Sequence, residues 1–286
     1  MRDAIDFRAP AGEGTFLASD GVSLFCRWQL ATPSLARIFV VHGAAEHSGR
    51  YEFLCTFLQT HGYSVFAADH RGMGRSSGPT GDVENFDKYV EDLERFVSLV
   101  EGALGAAPTF LLGHSMGTVV TVRYALQHPT GLRGLVLMSM PVAITARPGP
   151  ILDRLAKAAS RYLPQLKVPI GIRSEQLSSD QAVVKAAEDD PLIDRFATLR
   201  WSTAMLDASN TLETLVKRVA KPILVMHGEQ DTIADCSGVL NLKRGLANSL
   251  SRVVIFPGLR HELHNEAKPS RENVFATLLE WLKMIG

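Results

Sequence analysis

TFLLGHSMGTVVTVRYAL, residues 109–126, decides how this chain is read. TFLL is a short buried-strand run, and the residues from Met116 onward continue as a helix, so GHSMG spans a strand-to-helix junction. A serine on so tight a turn sits in a strained backbone conformation with its hydroxyl thrust outward. Side chains two positions to either side would collide with neighbouring backbone, and Gly113 and Gly117 fill both places. The helix beginning after Ser115 aims its positive end at any oxyanion that develops there. Ser115 is therefore a candidate nucleophile.

Outward from this junction, apolar runs alternate with helix-length amphipathic segments. The runs are Ala36–Val41, Tyr63–Ala68, Thr109–Leu112, Leu135–Met140, Pro222–Met226 and Arg252–Phe256. They are apolar through their length, as strands covered on both faces should be. Asp20-Gly21 between Thr15–Ser19 and Val22–Leu30 reads as a tight turn joining two antiparallel strands. Val83–Val100 places Phe86, Tyr89, Leu93, Phe96, Val97 and Val100 at helical spacing, and a last helix after Pro269-Ser270 buries Val274, Phe275, Leu278, Leu279 and Leu282. Such alternation predicts a wound α/β sheet with right-handed crossovers. About eighty residues between Met140 and Pro222 break it, carrying Pro141, Pro148, Pro150, Pro164, Pro169 and Pro191 and no expected strand. Residues 141–215 read as a helical cap inserted into a core domain made of 1–140 and 216–286.

Composition narrows the function. Of the 286 residues, 30 are Lys or Arg and 30 Asp or Glu, and 46% are hydrophobic, which excludes intrinsic disorder and argues against a nucleic-acid partner. Cys26, Cys55 and Cys236 form neither a disulfide framework nor a metal motif, so a reducing compartment is expected. MRDAIDFRAPAGEG at the N-terminus has no apolar core like that of a signal peptide. Gly102–Val122 lacks charges over a spanning length, but its proline, histidine and glycines favour a buried strand–turn–helix. The zero net charge hides a local imbalance. Residues 141–174 carry six basic residues (Arg147, Arg154, Lys157, Arg161, Lys167, Arg173) against Asp153, whereas 175–194 carry six acidic residues against Lys185.

A serine hydroxyl needs a base, and the base an orienting acid, in the chain order Ser, Asp/Glu, His for this kind of turn. PILVM is followed by His227-Gly228-Glu229-Gln230-Asp231, and RVVIF by Pro257-Gly258-Leu259-Arg260-His261. Asp231 and His261 therefore lie just beyond strand ends, where catalytic loops sit. Among the competitors, Asp235 reads as a helix cap, Glu229 as turn-forming, and His264 as a satisfied helix histidine. A metal pair of His261 and His264 lacks a third ligand. Two oxyanion donors are expected: the amide of Met116 and that of Ala44, where Gly43 lets the loop after the third strand turn inward. Glu46, His47, Arg50 and Arg71 read as a polar network holding loops, and His114 as packing behind the serine.

HGAAEHSGRY (42–51), DHRGMGRSSG (69–78), GHSMG (113–117), HGEQDTIAD (227–235) and RHELHNE (260–266) resemble the monoacylglycerol lipase and lysophospholipase branch of the α/β-hydrolases. The resemblance runs from about residue 15 to the end. It implies an eight-stranded, mostly parallel sheet, a helical cap after the sixth strand, and hydrolysis of acyl esters on a glycerol or similar head group. It carries the catalytic triad onto Ser115, Asp231 and His261 and the oxyanion donors onto Ala44 and Met116, with no cofactor or metal. Met73 and Thr118 depart from the family's frequent histidine and glycine.

The expected function is a monoacylglycerol lipase acting on a small-molecule acyl ester, with a lysophospholipase, a short-chain carboxylesterase and, remotely, a non-catalytic receptor as alternatives. Ser115 in place of an aspartate nucleophile argues against epoxide hydrolase or dehalogenase chemistry. The expected setting is cytoplasmic, with peripheral membrane contact through the cap. From Ile151, the apolar stripe Ile151, Leu155, Ala158, Ala159 and Tyr162 would line an acyl tunnel while Arg154, Lys157 and Arg161 meet lipid, or else the helix presents a solvated face.

Overall fold

The computed structural model describes residues 5–145 and 149–286; residues 1–4 and 146–148, Arg147 among them, lie outside the described residues. The strands are β1 (Ala11–Leu17), β2 (Ser23–Gln29), β3 (Ala36–Val41), β4 (Tyr63–Ala68), β5 (Thr109–His114), β6 (Leu132–Met138), β7 (Lys167–Pro169), β8 (Phe196–Thr198), β9 (Ile223–Gly228) and β10 (Arg252–Phe256). Eight of them form one sheet in the order β1-β2-β4-β3-β5-β6-β9-β10. β2 runs antiparallel to β1 and β4, and the remaining pairs are parallel.

The helices are α1 (Glu52–Thr60), α2 (Asp87–Leu104), α3 (Met116–Gln127), α4 (Pro150–Tyr162), α5 (Gln181–Asp189), α6 (Leu199–Val216), α7 (Ser237–Leu240) and α8 (Lys268–Ile285). Alternation along each strand splits the core in two. Ile38, Phe110, Val136 and Leu224 pack with Leu54 and Leu58 of α1 and Leu278 and Trp281 of α8. Phe39, Leu111, Leu135 and Val225 face the other way, onto Phe96 of α2, Val119 of α3 and Leu212 of α6. Both faces are covered, which is why the central strands read as unbroken apolar runs. Val41 lies beside Gly113, His114 beside Met138, and Gly228 beside Phe256, so the loops that follow these strands leave from one edge.

Several boundaries differ from the sequence expectation. β6 ends at Met138 because Ser139 turns into the left-handed region at φ 51°. α2 starts at Asp87, with buried Phe86 as its cap residue. In α8, Trp281 is fully buried and Leu279 only half-buried, a rotation of the expected stripe.

Residues 141–215 were expected to lack strands, yet β7 and β8 pair there antiparallel, Lys167 opposite Thr198. Three-residue strands, one of them ending in Pro169, are too short to show any alternation. Among the described residues, the ion pair joining the basic and acidic halves of this stretch is Lys167–Asp194 at 3.5 Å. No helix among the described residues is long and apolar enough to cross a membrane.

Candidate active site

Ser115 stands between β5 and α3 at φ 49°, ψ −121°, its amide held by the Met138 carbonyl at 2.9 Å. The two flanking glycines have a steric cause. A Cβ on Gly113 would come within 2.6 Å of the Gly117 carbonyl oxygen, and one on Gly117 would run into the Val41 carbonyl, so α3 can reach β3 only without them. Ala45 (φ 60°) and Ser139 (φ 51°) are also left-handed without being glycine, after the neighbouring strands β3 and β6. Met116 opens α3, so its amide has no acceptor within the helix.

His261 and Ser115 line one small pocket of about 40 Å³, together with Ala44, Glu46 and His114. Behind it, Asp231 Oδ2 accepts from His261 Nδ1 at 2.7 Å, with both side chains buried. Asp231 Oδ1 accepts the amides of Ile233 and Ala234, each at 2.9 Å. Burial alone would raise the Asp231 carboxyl, but His261 and His227 hold it far below the usual carboxylate range. The His261 backbone is fixed as well, since its carbonyl accepts from Ser139 Oγ at 2.6 Å and lies 3.2 Å from His114 Nε2. Ser115 and Ala44 also border a larger apolar chamber of about 450 Å³, walled by Ile144, Leu152, Val168, Trp201 and Met205.

The polar residues near the site hold loops. Glu46 Oε1 accepts from the Gly43 amide (2.5 Å), Tyr51 Oη (2.6 Å) and His114 Nδ1 (2.9 Å). Burial pushes the Glu46 carboxyl up, but the charge and hydrogen bond of His114 hold it well below its ordinary value. Burial works against the His114 imidazolium, and Glu46 keeps its pKa above the ordinary histidine value. Arg50 pairs with Glu262 at 2.7 Å, His47 with Asp190 at 2.9 Å, and Arg71 with Asp92 and Asp20. Thr118 Oγ1 donates to the Ser115 carbonyl at 2.7 Å, and Met73 is buried beside a neighbouring cavity.

The competitors resolve by their partners. Asp235 accepts the Ser237 amide at the start of α7, although Cys236 holds the cap position, and exposed Glu229 accepts the Gly258 amide in a turn. His264 departs from its expected satisfied role. It is fully buried, neither ring nitrogen has a hydrogen-bond partner, and it stacks on Tyr51 at 4.4 Å. With Tyr51 stacked on one face and His114 edge-on at 5.0 Å, the ring acts as an apolar plate. Sequence reasoning missed His227, which reaches Asp231 Oδ2 at 3.3 Å. Its four-residue spacing from Asp231 in HGEQD was the available signal. Among the described residues no three His, Cys, Asp or Glu side chains are grouped to hold a metal.

A mostly parallel eight-stranded sheet with a strained serine on the turn between β5 and α3 defines an α/β-hydrolase. Residues 32–268 match the serine aminopeptidase S33 family, and the chain belongs to it. It is 35% identical to the monoglyceride lipase of Homo sapiens over 92% of this chain and 88% of that one. It is 29% identical to the phospholipase YtpA of Bacillus subtilis over 87% of this chain and 95% of that one. The crystal structure of Paleococcus ferrophilus monoacylglycerol lipase superposes with a TM-score of 0.83 at 27% identity, covering 92% of this chain and 99% of that one. Within the family the chain is a serine hydrolase of the monoglyceride-lipase-like kind.

Proposed function

We propose that this chain hydrolyses monoacylglycerols through Ser115, His261 and Asp231. The carrying observation is the 2.7 Å bond from His261 Nδ1 to Asp231, behind a pocket that His261 shares with the elbow serine. His261 takes the Ser115 proton as the hydroxyl oxygen attacks the ester carbonyl carbon, and the amides of Ala44 and Met116 hold the tetrahedral oxyanion. His261 then protonates the leaving alcohol, and water, deprotonated by the same imidazole, releases the acid from Ser115. Asp231 keeps the imidazole in one tautomer and stabilises its charged form. These steps use no cofactor or metal. Residues 1–140 and 216–286 form the core domain in this reading, and 141–215 the cap.

The surroundings support a long apolar acyl group and a neutral head group. The chamber bordered by Ser115 and Ala44 is mostly apolar. The carboxylates that line the pocket beside Ser115 are paired, Glu46 with His114 and Glu262 with Arg50, but Glu46 Oε2 is buried without a partner. A substrate hydroxyl satisfies such an oxygen, as the free hydroxyls of a glycerol head group can. Similarity to a phospholipase keeps lysophospholipids as the second reading.

The outer face of α4 supports membrane contact, with Ile151, Leu155 and Tyr162 exposed beside exposed Arg154 and Arg161. Cys26, Cys55 and Cys236 are free thiols, which fits a cytoplasmic setting.

The test is hydrolysis of a panel of monoacylglycerols, lysophospholipids, triacylglycerols and short p-nitrophenyl esters. Monoacylglycerols should lead, and a clear preference for lysophospholipids would replace the reading. Ser115→Ala should lower turnover by several orders of magnitude with the fold intact, and a variant retaining a near-normal rate would remove the triad.

A further inference from the structure

His227 occupies the penultimate position of β9, four residues before Asp231, and is fully buried. Its Nε2 lies 2.7 Å from the Ala234 carbonyl oxygen and 3.3 Å from Asp231 Oδ2. The Ala234 carbonyl can only accept, so Nε2 carries the proton and donates it there, with Asp231 Oδ2 close beside. Its Nδ1 has no hydrogen-bond partner. Asp231 Oδ2 is the oxygen that accepts from His261 Nδ1, whereas Oδ1 is engaged by two backbone amides. Two imidazoles thus approach one carboxylate oxygen from different strands' ends.

We propose that His227 is a positioning residue that shares Asp231 Oδ2 with His261 and so extends activity to lower pH. The inference rests on the reading of Asp231 and His261 as acid and base. A second donor on the acid draws electron density from the oxygen that stabilises the His261 imidazolium. The weaker acid–base pair keeps His261 unprotonated further down the pH scale. Around His227 the ionisable neighbours are Asp231 and Asp235, both negative. Around His261 they are Asp231 from the β9 loop, His114 with Glu46 behind it from the β5 end and the Gly43 loop, Glu262 and His264 on its own segment, and Arg195 lining the same pocket. Among these ionisable neighbours, His227 is the one besides His261 whose ring nitrogen comes within 3.3 Å of Asp231 Oδ2.

The experiment compares His227→Leu and His227→Gln with the wild-type enzyme, measuring kcat/KM on a soluble p-nitrophenyl ester from pH 5 to 9. His227→Leu removes the donor, so the acidic limb should move to higher pH by about half to one unit, with activity recovered at pH 8 to 9. His227→Gln keeps an N–H donor and should hold the limb near wild type. A merely structural histidine would lower activity by the same factor at every pH, and an unmoved limb in His227→Leu overturns the proposal. Should the leucine variant fail to fold, nitrogen NMR of histidine-labelled wild-type protein decides. The proposal requires His227 to carry its proton on Nε2 at neutral pH, and a proton on Nδ1 overturns it. Failure of the triad reading looks different, because Asp231→Asn would then keep near-normal activity.

Discussion

At the scale of single residues, Glu46 ties together three groups around the candidate site. One carboxylate oxygen fixes the loop before Ala44, the Tyr51 phenol and the imidazole next to Ser115. Its carboxyl is held below the ordinary value, so the stability it adds is full above the unfolded pKa and lost as pH falls through the folded one. His114 has the opposite sign: its raised pKa adds stability that is present below about 6.5 and lost as pH rises through the folded value. Glu46→Gln should therefore cost about 3 kcal/mol near pH 6. It should also flatten the Tm profile on both the acidic and alkaline sides. Thermal melts from pH 3 to 8 check this, and parallel profiles for variant and wild type would exclude the pair. Sequence reasoning put forward Ser115, Asp231 and His261 because strand ends and chain order constrain them, and the structure brings His261 to Asp231 and into one pocket with Ser115. It could not see that Glu46 and His114 share a bond, since 68 residues separate them, nor that His264 would be buried without a partner.

At the scale of elements, the central strands and α3 were legible because burial on both faces writes an unmistakable pattern. β7 and β8 were not, because three residues carry no period. α4 is the instructive case. Its stripe of Ile151, Leu155 and Tyr162 was correctly read as a stripe, but the structure turns it outward: Ile151 is 78% exposed and Tyr162 85%. Leu152 and Ala156, on the other side, border the large apolar chamber instead. Helical spacing defines a face but not its direction, and on a helix with no buried residue no core sets that direction. Lys157 is also drawn away from the basic face, pairing with Asp153 and with Asp207 of α6. Ile151→Ser combined with Leu155→Ser should weaken sedimentation with anionic vesicles several-fold while leaving the rate on a soluble short ester within about twofold. Equal sedimentation of variant and wild type would remove the membrane role of this helix.

At the scale of the whole molecule, the segment over the site is attached unevenly. Around residues 174–190 the ties to the core are buried and polar. Glu266 accepts from Ser178 and Ser179, Arg260 donates to the Glu175 and Ser178 carbonyls, the Glu262 amide donates to Leu177, and Asp190 meets His47. α4 has no buried side chain and rests against α6. Hydrogen exchange should accordingly run at least tenfold faster in the middle of α4 than in α5, despite α4 being the longer helix; matched protection would mean that the two halves move as one. The balanced net charge contributes little to this arrangement, since the oppositely charged halves are joined by a single ion pair among the described residues. The left-handed conformations of Ala45, Ser115 and Ser139 have a consequence for how such an enzyme can be improved. Each stores about 1–3 kcal/mol at the end of one of three adjacent strands. A library screened for heat tolerance alone will favour relaxing these positions, because that is where stability is easiest to recover. The same replacements loosen the loops that hold Ser115, Ala44 and His261 around one pocket. Selection for endurance and selection for turnover therefore compete at one edge of the sheet, and thermostable variants that keep their rate should carry their changes elsewhere.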